Sequence, residues 1–250
     1  MSEESPKLRP IQWWNQFPIK LRLITKSRFL ASIGAGGVIY LTPLVFNQAS
    51  LSATQIGTGL ALAALVGTIA RFASGLLLDK GINCLNILRI TACIAITGDL
   101  ILFKAQNYSN FLNGQLLIGL ATGLYWPSIE LAVPISSGDF PSSRGFALGR
   151  SADALGISIG ASLGSIAAWA GLIRLIYLFD IAWMLSFLYL LKNKIIKDKI
   201  LVNKNNSSFS KGKPLSKRIK WLNSLIPLFL ISLITTGILS LLQSALPIDL

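Results

Sequence analysis

Apolar residues run along this chain in long unbroken blocks, separated by short polar stretches. Seven blocks predict helices long enough to cross a bilayer, at 29–46, 54–78, 85–103, 111–133, 144–168, 172–191 and 221–246. About 20 apolar residues rising ~1.5 Å each cover a hydrocarbon core of ~30 Å. Backbone polar groups find no water there, so a spanning segment is a helix or belongs to a closed barrel. These blocks are too long and too continuous for the ~10-residue alternating strands of a barrel. The expected fold is therefore all-α, a polytopic transmembrane helical bundle.

The polar stretches divide the chain. Residues 1–27 form an N-terminal cytoplasmic or interfacial segment, in which Trp13 and Trp14 precede Ile19, Leu21 and Leu23 as a juxtamembrane anchor. Residues 28–191 form a six-helix bundle, and 192–220 a long basic loop containing Lys211, Lys213 and Pro214. Residues 221–250 carry the seventh helix. Met1–Pro10 is polar and shows no cleavable signal-peptide pattern.

Composition agrees. Hydrophobic residues make up 52% of the chain and charged residues 13%, against ~25% charged in soluble domains. The mean hydropathy is +0.62.

The net charge of +13 is unevenly placed. Lys7, Arg9, Lys20, Arg22, Lys26 and Arg28 precede the first span, and Lys192, Lys194, Lys197, Lys199 and further lysines follow the sixth. The alternate loops hold little beyond Lys104 and Arg174. By the positive-inside rule the N-terminus is cytoplasmic, and the C-terminus lies on the opposite side of a plasma or inner membrane. Topology accounts for the charge, so no nucleic-acid partner is expected.

Enzyme chemistry finds little support. The chain has no histidine. Cys84 and Cys93 lie on one predicted helix with ~13 Å of rise between them, too far for a disulfide. There is no zinc spacing and no phosphate-cradling glycine loop, so neither enzyme activity nor a cofactor or metal is expected.

Charged side chains inside spans are costly and mark function by default. They are Arg71, Asp99, Glu130, Arg150, Asp153 and Asp180. Arg71 and Glu130 fall near the cytoplasmic ends of their spans, where they pair or snorkel. Asp99 falls near the outer end of its span, within reach of water. Asp153 reads either as a cavity or relay residue or as the structural partner of Arg150, three positions away on the same helix face. Asp180 reads as structural. Gly156, Gly160 and Gly164, at four-residue spacing, clear one helix face for close packing.

Several segments then resemble the major facilitator superfamily of secondary transporters. Gly75-Leu-Leu-Leu-Asp79-Lys80 is similar to its loop motif after span two, Gly-x-x-x-Asp-Arg/Lys. Gln115-Leu-Leu-Ile-Gly119 resembles its Arg-x-x-x-Gly segment, with Gln115 where the family has the arginine associated with proton coupling. Asp139-Phe-Pro-Ser-Ser-Arg144-Gly145 resembles the loop between spans four and five, and the Gly156–Gly164 stretch resembles the antiporter-type glycine motif.

The resemblance implies two helical halves rocking around a mid-membrane cavity. It implies a lipid bilayer and a small-molecule solute as partners, and leaves room for a coupling ion. By the same analogy the cavity-lining candidates are Tyr40, Arg71, Gln115, Tyr125, Trp126 and Asp153. The family has twelve spans, so seven imply an N-terminal half plus one helix of the second. That is a fragment of a transporter, or a chain whose partner supplies the missing half. The alternative reading is a non-transporting membrane sensor or assembly subunit.

Overall fold

The computed structural model describes residues 10–192 and the isolated Ile231. The described residues form seven helices and no strand. They are α1 (Pro10–Asn15), α2 (Ile19–Gln48), α3 (Ala53–Asp79), α4 (Cys84–Lys104), α5 (Tyr108–Ser137), α6 (Ser142–Trp169) and α7 (Leu175–Leu191). Five of these, α2 to α6, are long and apolar enough to cross a membrane, and α7 is a shorter apolar helix of 17 residues. The chain is an integral membrane protein built as a helical bundle. The predicted 192–220 loop beyond Lys192, and the seventh span apart from Ile231, lie outside the described residues.

The spans fall where the apolar blocks put them, with one substantial difference. α2 begins at Ile19, ten residues before the predicted start of the first span. Leu21, Ile24, Arg28 and Ala31 follow one another at helical spacing and are all buried. That stripe carries the helix through a segment that its charges had marked as interfacial. Ahead of it, Phe17 packs on Trp13 (ring centroids 5.0 Å apart) and on Phe140 (5.3 Å). These rings pin α1 to the turn between α5 and α6.

Local chemistry sets the helix ends. Ser52 and Gln55 form a reciprocal capping box at the start of α3, and Asn83 and Asn107 accept backbone N–H bonds to start α4 and α5. α3 and α6 end alike. After α3, Gly81 N donates to Leu78 O and Ile82 N to Leu77 O; after α6, Gly171 N donates to Ala168 O and Leu172 N to Ala167 O. Gly81 (φ 82°) and Gly171 (φ 73°) take the left-handed conformation this stop requires, which a side chain resists.

The packing has an internal symmetry. α2 packs against α6 and α7, α5 packs against α3 and α4, α4 meets α7, and α2 meets α5. Exchanging α2 with α5, α3 with α6 and α4 with α7 turns this pattern into itself. Each unit has three helices, and short turns reverse the chain between them, so the second unit is inverted relative to the first.

The diagonal contacts are the closest. A Cβ added to Gly160 on α6 would strike Ile33 O on α2, and one added to Gly119 on α5 would strike Ala63 O on α3. Without side chains the backbones reach van der Waals contact there, which is how helices gain packing energy when lipid is as apolar as they are. Gly156 and Gly164 also lie against α2, at Ser32 and Leu41.

α4 and α7 lock at both ends. Arg174, at the N-cap of α7, donates to Phe103 O (2.9 Å) and Ala105 O (2.7 Å) at the end of α4. Arg89 on α4 donates to Leu191 O at the end of α7 (2.8 Å). Each arginine satisfies carbonyls that a helix end leaves without partners and adds a cation where the helix dipole is negative. Large apolar side chains cover the outside, among them Leu65, Ile69 and Phe72 on α3 and Leu155 and Ile166 on α6, as a lipid-facing surface requires.

Candidate functional site

A four-charge cluster lies toward the end of the bundle at which α2 begins. Its centre is Arg28, which is fully buried. Arg28 Nε donates to both Asp153 oxygens (2.7 and 2.8 Å), and one terminal nitrogen reaches Glu130 Oε1 (2.7 Å). Arg150 reaches the same Glu130 oxygen at 2.9 Å from a side chain 62% exposed. Ser32 donates to Asp153 Oδ1 at 3.0 Å. Gly149 leaves room for the guanidinium, since an added Cβ would stand 3.3 Å from Arg28 Nη1.

Trp126 completes the cluster. The guanidinium carbons of Arg28 and Arg150 lie 5.6 and 5.4 Å from its ring centroid, within cation–π range. Two cations and two carboxylates leave no net charge, which is what allows Arg28 and Asp153 at its core to stay out of water.

Above the cluster, toward the opposite end of the bundle, a cavity of about 140 Å³ opens between α2, α4, α5, α6 and α7. Ala35 and Val38 on α2, Ala95 on α4 and Ile118 on α5 make its walls apolar. Its polar points are few: Ser32 and Trp126 at the charged end, then Thr91, Thr122, Tyr125 and Asp180. An apolar hollow with a few convergent polar groups is the usual form of a small-molecule site.

The candidates from sequence divide accordingly. Tyr125 and Trp126 line the cavity, and Asp153 borders it through Ser32. Gln115 is buried in α5 and Tyr40 is half-buried on α2, and neither lines this cavity. Arg71 sits on the exposed face of α3, apart from Glu130. Glu130 is instead occupied by Arg28 and Arg150. Nor does Asp153 pair with Arg150. Asp153 turns inward to Arg28, while Arg150, three residues earlier, reaches along the outside to Glu130.

Gly75 stands in the last turns of α3 with nothing within 4 Å of an added Cβ, and Asp79 and Lys80 are exposed at its end. Asp180 is buried on α7 and faces the equally buried Asp99 on α4. Asp99 is therefore shut away from water although it lies near a helix end, because the start of α7 covers it.

Arg28 is the buried, paired charge that charge counting along the chain does not reveal. Its neighbours Lys20, Arg22 and Lys26 make it read as part of a basic flank, whereas the stripe Leu21–Ile24–Arg28–Ala31 marks its face of the helix as inward. Among known proteins, no family model and no curated protein matches this chain.

Proposed function

We propose that this protein is a membrane transporter of the major facilitator type, moving a small solute by alternating access. The observation that carries this reading is the inverted repeat in the packing. α2–α4 and α5–α7 make the same contacts in opposite orientation, and a cavity lies between them. Many secondary transporters are built from such repeats, with the solute site at the repeat interface near the bilayer midplane. The Gly75–Lys80 segment at the end of α3 supports the same reading from sequence.

In this reading Tyr125, Trp126 and Ser32 contact the solute, and the Arg28–Asp153–Glu130–Arg150 cluster closes the cytoplasmic side. The basic flank of α2 supports a cytoplasmic N-terminus. A second helical bundle, from this chain or from a partner, covers the open side of the cavity.

Flux tests the function. Proteoliposomes holding the full chain together with any helical partner that co-purifies with it should take up at least one solute from a broad panel, and Trp126→Ala should abolish that uptake. Solute binding with no flux for any compound would overturn transport and favour a sensing or assembly role. Topology is tested separately, with Cys84 and Cys93 replaced. A cysteine at Ser50 should react with an impermeant maleimide in intact cells, and one at Asp139 only after permeabilisation. The reverse pattern would invert the assignment.

A further inference from the structure

Two carboxylic acids meet inside this bundle away from the charged cluster. Asp99 on α4 is fully buried and Asp180 on α7 is 4% exposed. They face each other across the α4–α7 contact. Among the described residues neither has an ion pair, and the four charges of the cluster are spent on one another. Both oxygens of Asp99 and Oδ1 of Asp180 lack a hydrogen-bond donor.

The surroundings supply none. α2 presents Gly34, against whose Cα the Asp180 carboxylate lies. Tyr177 on α7 gives its hydroxyl proton to Thr42 on α2 at 3.1 Å. Arg174, the cation at this end of α7, is committed to the carbonyls of Phe103 and Ala105. Lys104 points outward, and α5 brings one titratable group to the cavity, Tyr125.

Two bare carboxylates in such a place would repel each other and leave several acceptors empty, at a cost that buried charges avoid by binding something. A metal cation needs several oxygen ligands, about six for the common hard ions. Ala95, Val38 and Met184 around the cavity offer hydrocarbon instead. A proton needs only the two carboxylates. Bound to one, it makes that acid a donor to the other, removes one of the two charges and leaves fewer acceptors vacant.

We propose that Asp99 and Asp180 share one exchangeable proton, taken up from water and returned to it through the cavity that Asp180 lines. Thr91 Oγ1 and Tyr125 OH also lie in that cavity without partners, and so provide sites at which a relaying water can bind. The proton's use as a coupling ion rests on the transport reading; its presence on the pair does not.

Infrared spectroscopy of the full chain in lipid nanodiscs, with isotope-labelled aspartate, tests the pair directly. The wild type should show a label-sensitive carboxylic-acid band at neutral pH that shifts in heavy water and vanishes in alkali. Asp99→Asn and Asp180→Asn should each remove the band, because the new amide donates to the remaining carboxylate. Exposed Asp139→Asn should leave it unchanged. No such band in the wild type at neutral pH would overturn the proposal, whether or not the variants fold and whether or not any solute is transported. So would a band that survives both substitutions, or one that sodium removes at constant pH, which would make this a metal-cation site.

Discussion

Arg28 on α2 clasps Asp153 on α6 through both carboxylate oxygens, across 125 residues of sequence. Removing one member of a buried pair leaves the other uncompensated, at a cost of about 3–5 kcal/mol. Arg28→Met should therefore destabilise the bundle by that order in detergent-unfolding titrations. Arg28→Met with Asp153→Leu should recover more than half of the loss, since two apolar side chains leave only Glu130 to compensate. Equal loss in the single and double variants would show that the pair is not the source.

The second ion pair of Glu130 should behave differently. Arg150 is 62% exposed, so its bond to Glu130 is screened. Arg150→Gln should cost under about 1 kcal/mol in the same titration. A loss matching that of Arg28→Met would contradict the division of the cluster into a buried core and an exposed edge.

Glycines of one helical type should separate by position. In Gly160→Ala the new methyl falls on Ile33 O, a backbone atom that cannot step aside. The loss should be about 1–3 kcal/mol, as for other overpacked contacts. Gly75→Ala meets nothing within 4 Å. It should leave stability unchanged or raise it by up to about 1 kcal/mol, because alanine is the better helix former. If Gly75→Ala keeps stability and loses solute flux, the glycine acts in the transport cycle. Comparable melting losses in the two variants would remove the steric argument.

Tyr177 and Thr42 join α7 to α2 by one buried hydrogen bond. Tyr177→Phe should cost about 1 kcal/mol. Combining it with Thr42→Val should cost little more, because the bond is already gone. Strictly additive losses in this double-mutant cycle would mean that each hydroxyl is held by something else.

The spans were legible because a bilayer demands long apolar runs, and a run of that length reads directly. Their pairing was not. Arg150 and Asp153 are close along one helix and so suggested each other, whereas Arg28 lay far off in sequence among other basic residues. What decides between them is the angle at which each side chain leaves its helix, and that depends on which neighbours are already packed. The spacing of Gly156, Gly160 and Gly164 marked a close contact without naming α2 as its other side. Depth along its own helix puts Asp99 near water, and the cover that buries it comes from the start of α7. The analogy groups Trp126, Tyr125 and Arg71 together, whereas Trp126 and Tyr125 line a cavity of this bundle and Arg71 stands on the exposed face of α3.

The burial of Arg28 also sets a sequence of events during synthesis. When α2 first enters the membrane, Asp153 has not yet been made, and an isolated arginine inside a helix is expensive to hold in hydrocarbon. Until then α2 must ride high enough for its guanidinium to stay among lipid headgroups or water. Glu130 arrives first and Asp153 after it, and only then can the helix settle to its final depth. The final seat of α2 therefore depends on two helices that follow it in the chain, α5 with Glu130 and α6 with Asp153.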